Sequence, residues 1–215
     1  MTSALYAISP LDGRYASKVE ALRPIMSEAG LLHHRVQVEV AWVIALSNAG
    51  FSELPKFSTD AVDYLNAIVA NFGETDAQRI KDIEKTTNHD VKAVEYYLKE
   101  KMAGRDDLAK AGEFIHFACT SEDINNTSHG LMLKKARAEV ILPMMDELIG
   151  KFKALAVEHA AQPMLSRTHG QPASPTTVGK EFANIAARLE RARAALASIE
   201  LLAKMNGAVG NYNAH

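Results

Sequence analysis

"EDINNTSHGLMLKKARAEVILPMMDELIGKFKALAVEH", Glu122 to His159, decides the fold. Its apolar residues recur at helical spacing with no alternation of the strand kind, so the stretch reads as one long helix with a kink at Pro143. A second stretch, Thr176 to Lys204, reads the same way, with Pro175 at the first helical position after Ser174. Helices near or above ~30 residues exceed ordinary globular lengths. They imply a bundle of long helices, one shared between subunits.

Working outward toward the N-terminus, the pattern stays helical, and no stretch shows strand alternation. Leu31 to Ala49 is nearly all apolar, which predicts a buried helix with Gly50 as its C-cap. Ser58 or Thr59 can cap a helix with Ala61, Val62, Leu65, Ile68, Val69 and Phe72 on one face. Thr75 with Gln78 reads as a capping box. A further helix is expected from Val91 to about Met102, and "AGRDD" (Ala103–Asp107) as a loop at a domain boundary. The expected fold class is therefore all-α: an N-terminal helical domain over residues 1–110, then the start of a long-helix bundle over 111–215.

Composition narrows the function classes. The chain has 215 residues, 47% of them hydrophobic, enough for one large domain or two small ones. A net charge of −2 gives no basic field for nucleic acid. The single cysteine, Cys119, has no internal partner for a disulfide, which fits a reducing cytosol. The N-terminus lacks the basic and apolar regions of a signal peptide, and no apolar run reaches membrane length. The chain is thus expected to be cytoplasmic, and the sequons at Asn125 and Asn126 to be without meaning. His33–His34 is only a doublet, and His116 with Cys119 reads as packing, so no metal is expected. No glycine-rich phosphate loop is present and no cofactor is implied.

Four polar clusters interrupt the apolar pattern. "DGRY", Asp12 to Tyr15, is either a surface turn or an anion fork (Arg14) beside a stacking face (Tyr15). "TTNHD", Thr86 to Asp90, stands where a helix begins. Asn88 or Asp90 serves as its N-cap, or the free N–H groups and positive dipole end bind an anion, with His89 adding a donor. "CTSEDINNTSHG", Cys119 to Gly130, contains a broad capping box, Thr120 with Asp123, yet carries more polar residues than capping needs. That excess suits a helix start facing a polar ligand. "SRTHGQ", Ser166 to Gln171, surrounds His169 with neutral hydrogen-bonders in a tight loop between two helices. An imidazole held there suits proton transfer near neutral pH.

In this order the clusters resemble the fumarase/aspartase superfamily. "TSEDINN" is similar to its first shared region and "SRTHGQPASPTTVGKE" to its second. "SPLDGRY" and "EKTTNHDVKAVEYYLKEK" resemble the bacterial type of its adenylosuccinate lyase branch. The resemblance implies a homotetramer with each active site drawn from three subunits. It also implies β-elimination of fumarate from adenylosuccinate, giving AMP, and from SAICAR, giving AICAR. By position, His169 matches the general acid that protonates the departing nitrogen. Arg14 and Tyr15 match nucleotide-binding residues, and Asn88, His89 and Asp90 a substrate-binding segment. Thr120 and Ser121 match residues that hold a fumaryl carboxylate, with Gln171 a further contact. "NGAVGNYNAH" resembles a glycine-rich turn leading to the next family helix. The family's third region, an "SS-x-MP-x-K-x-NP" loop that supplies the serine base, has no counterpart here. The expectation is an N-terminal piece, inactive alone. Another lyase of the superfamily, such as argininosuccinate lyase, and a non-catalytic helical scaffold are the competing readings.

Overall fold

The computed structural model describes residues 4–212. Short 3₁₀ turns (Ala4–Tyr6, Ala16–Lys18, Glu20–Leu22) lead into α1 (Arg23–Met26), α2 (Glu28–Asn48), α3 (Thr59–Ala70), α4 (Glu74–Thr87), α5 (Asp90–Ala103) and α6 (Asp106–Ala109). After a 3₁₀ turn at Lys110–Phe114 come α7 (Ser121–Ala136) and α8 (Leu142–Glu158), then strands β1 (Pro163–Thr168) and β2 (Gln171–Thr177), and α9 (Val178–Ser198). The fold is helical with one small sheet. The chain forms two compact units. The first runs to Lys134 and takes up the stretch from Leu202, and the second is Lys135–Leu201.

The first unit is built around α2. Leu32, Val36, Val40, Val43 and Leu46 bury its length against Leu65 of α3, Ile80 of α4, and Val94 and Leu98 of α5. Ser27 starts α2 by accepting from the Gly30 N–H at 3.2 Å. Gly50 follows its end with φ +86°, the left-handed conformation that a helix terminus favours and glycine supplies without strain. Ser58 is the N-cap of α3 and accepts from Ala61 N. Two expected caps move. Helix α4 begins after Gly73, whose N–H donates to Asp76 Oδ2 at 3.1 Å, while Gln78 bonds Asp82 instead of closing a box. Helix α5 is capped by His89, with Nδ1 accepting from Lys92 N at 3.1 Å, and neither Asn88 nor Asp90 does this. Asn88 instead ends α4 in the left-handed region at φ +49°. Two residues, Asn88 and His89, separate the two helices; the first closes α4, so the side chain of the second has to cap α5.

In the second unit α8 and α9 pack together, joined by the hairpin. Arg193 meets Asp146 with two bonds of 2.8 Å, Lys153 pairs with Glu190, and Phe152 faces Phe182 at 6.1 Å. The helical run entered at α7 widens into a π-turn at Arg137–Ile141, just before Pro143. Proline lacks an N–H and its ring crowds the carbonyl four residues back, here Glu139, so the wider turn relieves both at once.

The hairpin corrects the absence of strands expected from the sequence. β1 and β2 pair antiparallel, from Pro163 opposite Thr177 to Thr168 opposite Gln171, with an irregularity between Leu165 and Arg167. Pro175 lies inside β2, and α9 starts three residues beyond it, capped by Thr177 accepting from Lys180 N. In a two-stranded ribbon each strand is an edge, where proline is tolerated. The strands are mostly exposed, so nothing forces the alternation by which a half-buried strand is recognised.

Candidate active site

Two of the polar clusters meet in the first unit. His89 Nδ1 accepts from Lys92 N, so the neutral ring carries its proton on Nε2. That nitrogen stands 3.4 Å from Ser121 Oγ, the first residue of α7. The starts of α5 and α7 are thus brought side by side, each with the positive end of a helix dipole. Neighbouring Thr120 donates its N–H to Asp123 Oδ2 at 2.9 Å, the half of the expected capping box that is formed.

Buried charges that the sequence reading passed over hold this junction. Arg35 of α2 is 4% exposed. Its Nη2 donates to Asp90 Oδ2 at 2.5 Å and its Nε to Asn125 Oδ1 at 2.9 Å. Burial pushes Asp90 up, but the Arg35 charge, the Val91 N–H and the Arg35 hydrogen bond together outweigh it and hold the carboxyl below its ordinary range. One turn along α2, fully buried Glu39 takes the His116 N–H at Oε2 (3.1 Å) and His116 Nδ1 at Oε1 (2.6 Å). Burial lifts Glu39 above the usual carboxylate range; burial also works to lower His116, but the Glu39 carboxylate raises it. Cys119, beside them, is pushed up to about 12 by burial, so it is no ready nucleophile. The signal for these residues was present: Arg35 and Glu39 lie four apart on a largely apolar helix, and buried charges demand partners.

Much of the polar excess in α7 is spent inside the protein. Asp123, 1% exposed, accepts from Thr120, Asn206 and Gly207 N–H groups and pairs with Lys204 at 2.8 Å. Burial raises its carboxyl, while Lys204 and the backbone donors bring it below the ordinary range. Asn126 binds both the N–H and the carbonyl of Lys204, and Thr127 and Ser128 bond back to the carbonyls of Asp123 and Ile124. These contacts seat 204–207 against α7. The glycine-rich turn continues with Gly207 and Gly210 at φ +81° and +79°, and 213–215 lie outside the described residues.

Arg14 and Tyr15 are exposed, with the guanidinium 4.7 Å from the centre of the Tyr15 ring. His169 and Gln171 belong to the second unit. His169 is not in a loop between helices. It is the first of two residues turning the hairpin, exposed, at φ +51° and followed by Gly170 at φ +72°. Positive φ at both positions is the type I′ pattern that matches strand twist. Among the described residues no group of three or more His, Cys, Asp or Glu is placed to hold a metal, and no helix is long and apolar enough to cross a membrane.

Comparison with known proteins gives this arrangement its context. The family model described as Lyase matches residues 13–215. The chain is 63% identical over 214 residues to the adenylosuccinate lyase of Escherichia coli K12, and 61% identical to that of Vibrio cholerae, covering 99% of this chain and 47% of each relative. It therefore spans about half the length of the curated relatives it matches. A fumarate lyase from Mesorhizobium superposes with a TM-score of 0.71 at 25% identity, covering 91% of this chain and 44% of that one. The 3-carboxy-cis,cis-muconate lactonizing enzyme of Pseudomonas putida shares the fold with a TM-score of 0.70 at 24% identity, over 91% of this chain and 43% of its own. The chain belongs to the lyase family, with adenylosuccinate lyases among its relatives.

Proposed function

We propose that this chain is the N-terminal part of a cytoplasmic, homotetrameric adenylosuccinate lyase, comprising an N-terminal helical domain (1–110) and the first part of the central bundle (111–215). The protein would release fumarate from adenylosuccinate to give AMP and from SAICAR to give AICAR. The observation that carries the reading is 63% identity to an adenylosuccinate lyase across 99% of the chain.

In the proposed reaction a base takes the proton from Cβ, the C–N bond breaks, and fumarate's double bond forms. The departing nitrogen needs a proton, and His169 is the group assigned to give it. Thr120 and Ser121 would hold a carboxylate at the α7 start, where free N–H groups and the dipole favour an anion. His89, with Asn88 and Asp90, would bind substrate at the α5 start. Arg14 and Tyr15 would take the nucleotide and Gln171 a further polar group. The 3.4 Å approach of His89 to Ser121 supports treating the second and third clusters as one site.

A substrate panel tests this. With the chain in a protein of the relatives' length, adenylosuccinate and SAICAR should be turned over and argininosuccinate should not. Turnover of argininosuccinate alone would move the assignment to that lyase. A folded protein that cleaves none of the three would favour a non-catalytic helical scaffold.

A further inference from the structure

We propose that Arg35 is a positioning residue for the junction of His89 and Ser121, holding the start of α5 to the start of α7 so that the imidazole faces the hydroxyl. The reading above enters only in assigning His89 and Ser121 to the substrate.

The geometry is a lever with two arms. Asp90 directly follows His89, and Asn125 lies one helical turn beyond Ser121, on the same face of α7. Arg35 binds both from a third helix, with Nη2 on one and Nε on the other. A planar guanidinium offers these donors in fixed relative directions, so the spacing of its two partners is set along with their attachment. His89 is oriented independently, because its Nδ1 is tied to Lys92 N. The remaining freedom is the separation of the two helix starts. At 3.4 Å the Nε2 to Oγ approach is already long, so a small slip loses it.

Cohesion alone does not account for the arrangement. Val38, Val91 and Ile124 already join α2, α5 and α7 in an apolar cluster. Asp90 and Asn125 are the sequence neighbours of Val91 and Ile124. A buried charge beside that cluster is a poor source of stability, since its desolvation offsets most of the attraction. What it adds to the apolar cluster is direction.

The test uses the 215-residue chain. Proton NMR of the wild type should show cross-peaks between the His89 ring protons and the Ser121 β-protons. Arg35→Gln, folded by circular dichroism, should lose them, and Arg35→Lys, which keeps a charge for Asp90 but has no fork, should retain them only weakly. Asn125→Ala removes one neutral partner and leaves Arg35 paired with Asp90, so it remains informative if Arg35→Gln does not fold. It too should weaken the cross-peaks. Unchanged cross-peaks in folded Arg35→Gln or in Asn125→Ala would overturn the proposal. Calorimetry with fumarate, in a protein of the relatives' length, is the second arm: affinity should fall about tenfold in Arg35→Gln and in Asn125→Ala, the size of one lost contact. Wild type of that length that binds neither fumarate nor AMP would count against the functional reading, while the cross-peaks still decide the role of Arg35.

Discussion

A histidine can be replaced informatively only if its backbone role is kept, and at both candidate histidines the structure says which replacement does so. His169 sits at φ +51° before Gly170, and Asn-Gly is the favoured pair for such a turn. His169→Asn should therefore remove the imidazole and leave the hairpin. In a protein of the relatives' length, turnover should fall roughly 10²- to 10⁴-fold, the range for a positioned general acid, with substrate affinity changed much less. Near-normal turnover in steady-state kinetics would take His169 out of the reaction. His89 is the N-cap of α5, so alanine would remove a cap along with the ring. Asparagine is an equally good cap. His89→Asn should leave the melting temperature nearly unchanged and weaken AMP binding by about 1.5–3 kcal/mol in calorimetry, the scale of a charged hydrogen bond to phosphate. Both histidines were legible as candidates because a polar cluster stood out from an apolar chain. Their backbone conformations were not, since positive φ and capping depend on where neighbouring elements end.

At the scale of elements, two close joints lead to stability predictions. A side chain at Gly179, on the first turn of α9, would meet the backbone of α8's end, with Cβ 2.6 Å from Ala160 Cα and against the Ala156 carbonyl. Gly179→Ala should lower stability by about 1–3 kcal/mol, as overpacking does, seen as a lower thermal midpoint. The second joint is Asp123, which ties 204–207 to α7. Its folded carboxyl lies below the ordinary range, so its contribution is present above the unfolded value of about 4 and is lost as pH falls through the folded value. Asp123→Asn should cost about 1.5–3 kcal/mol near neutral pH. It should also flatten the acid limb of the stability curve, and an acid limb unchanged from wild type would sink the assignment. Helix positions followed from periodicity because each turn is decided within a few residues. The hairpin did not, because exposed edge strands need no pattern.

The proposed assembly has consequences for the whole molecule. Met144, Leu148 and Val157 of α8 and Ile185 of α9 are 59%, 46%, 78% and 39% exposed. An apolar set of this kind on two packed helices is what a subunit contact would cover. The 215-residue chain should self-associate in sedimentation equilibrium, and Leu148→Lys should reduce this. A monodisperse monomer at high concentration would count against the contact. If active sites are shared among subunits, this chain mixed with a longer protein carrying His169→Asn should restore some activity.

The sequence by itself determined the helical class, the positions of the main helices, and the four polar clusters with His169, His89 and Ser121 among them, though α9 stops at Ser198, short of the expected Lys204. These rest on local physics: residues three and four apart share a helix face, and polar runs are poor core. Only the tertiary structure decided that His89 caps α5, that His169 turns a hairpin, and that the second and third clusters meet. It also decided that Arg35, inside a helix read as nearly all apolar, joins Asp90 and Asn125, 55 and 90 residues away. A buried charge announces that it needs a partner, but which distant group answers is settled only when the helices pack.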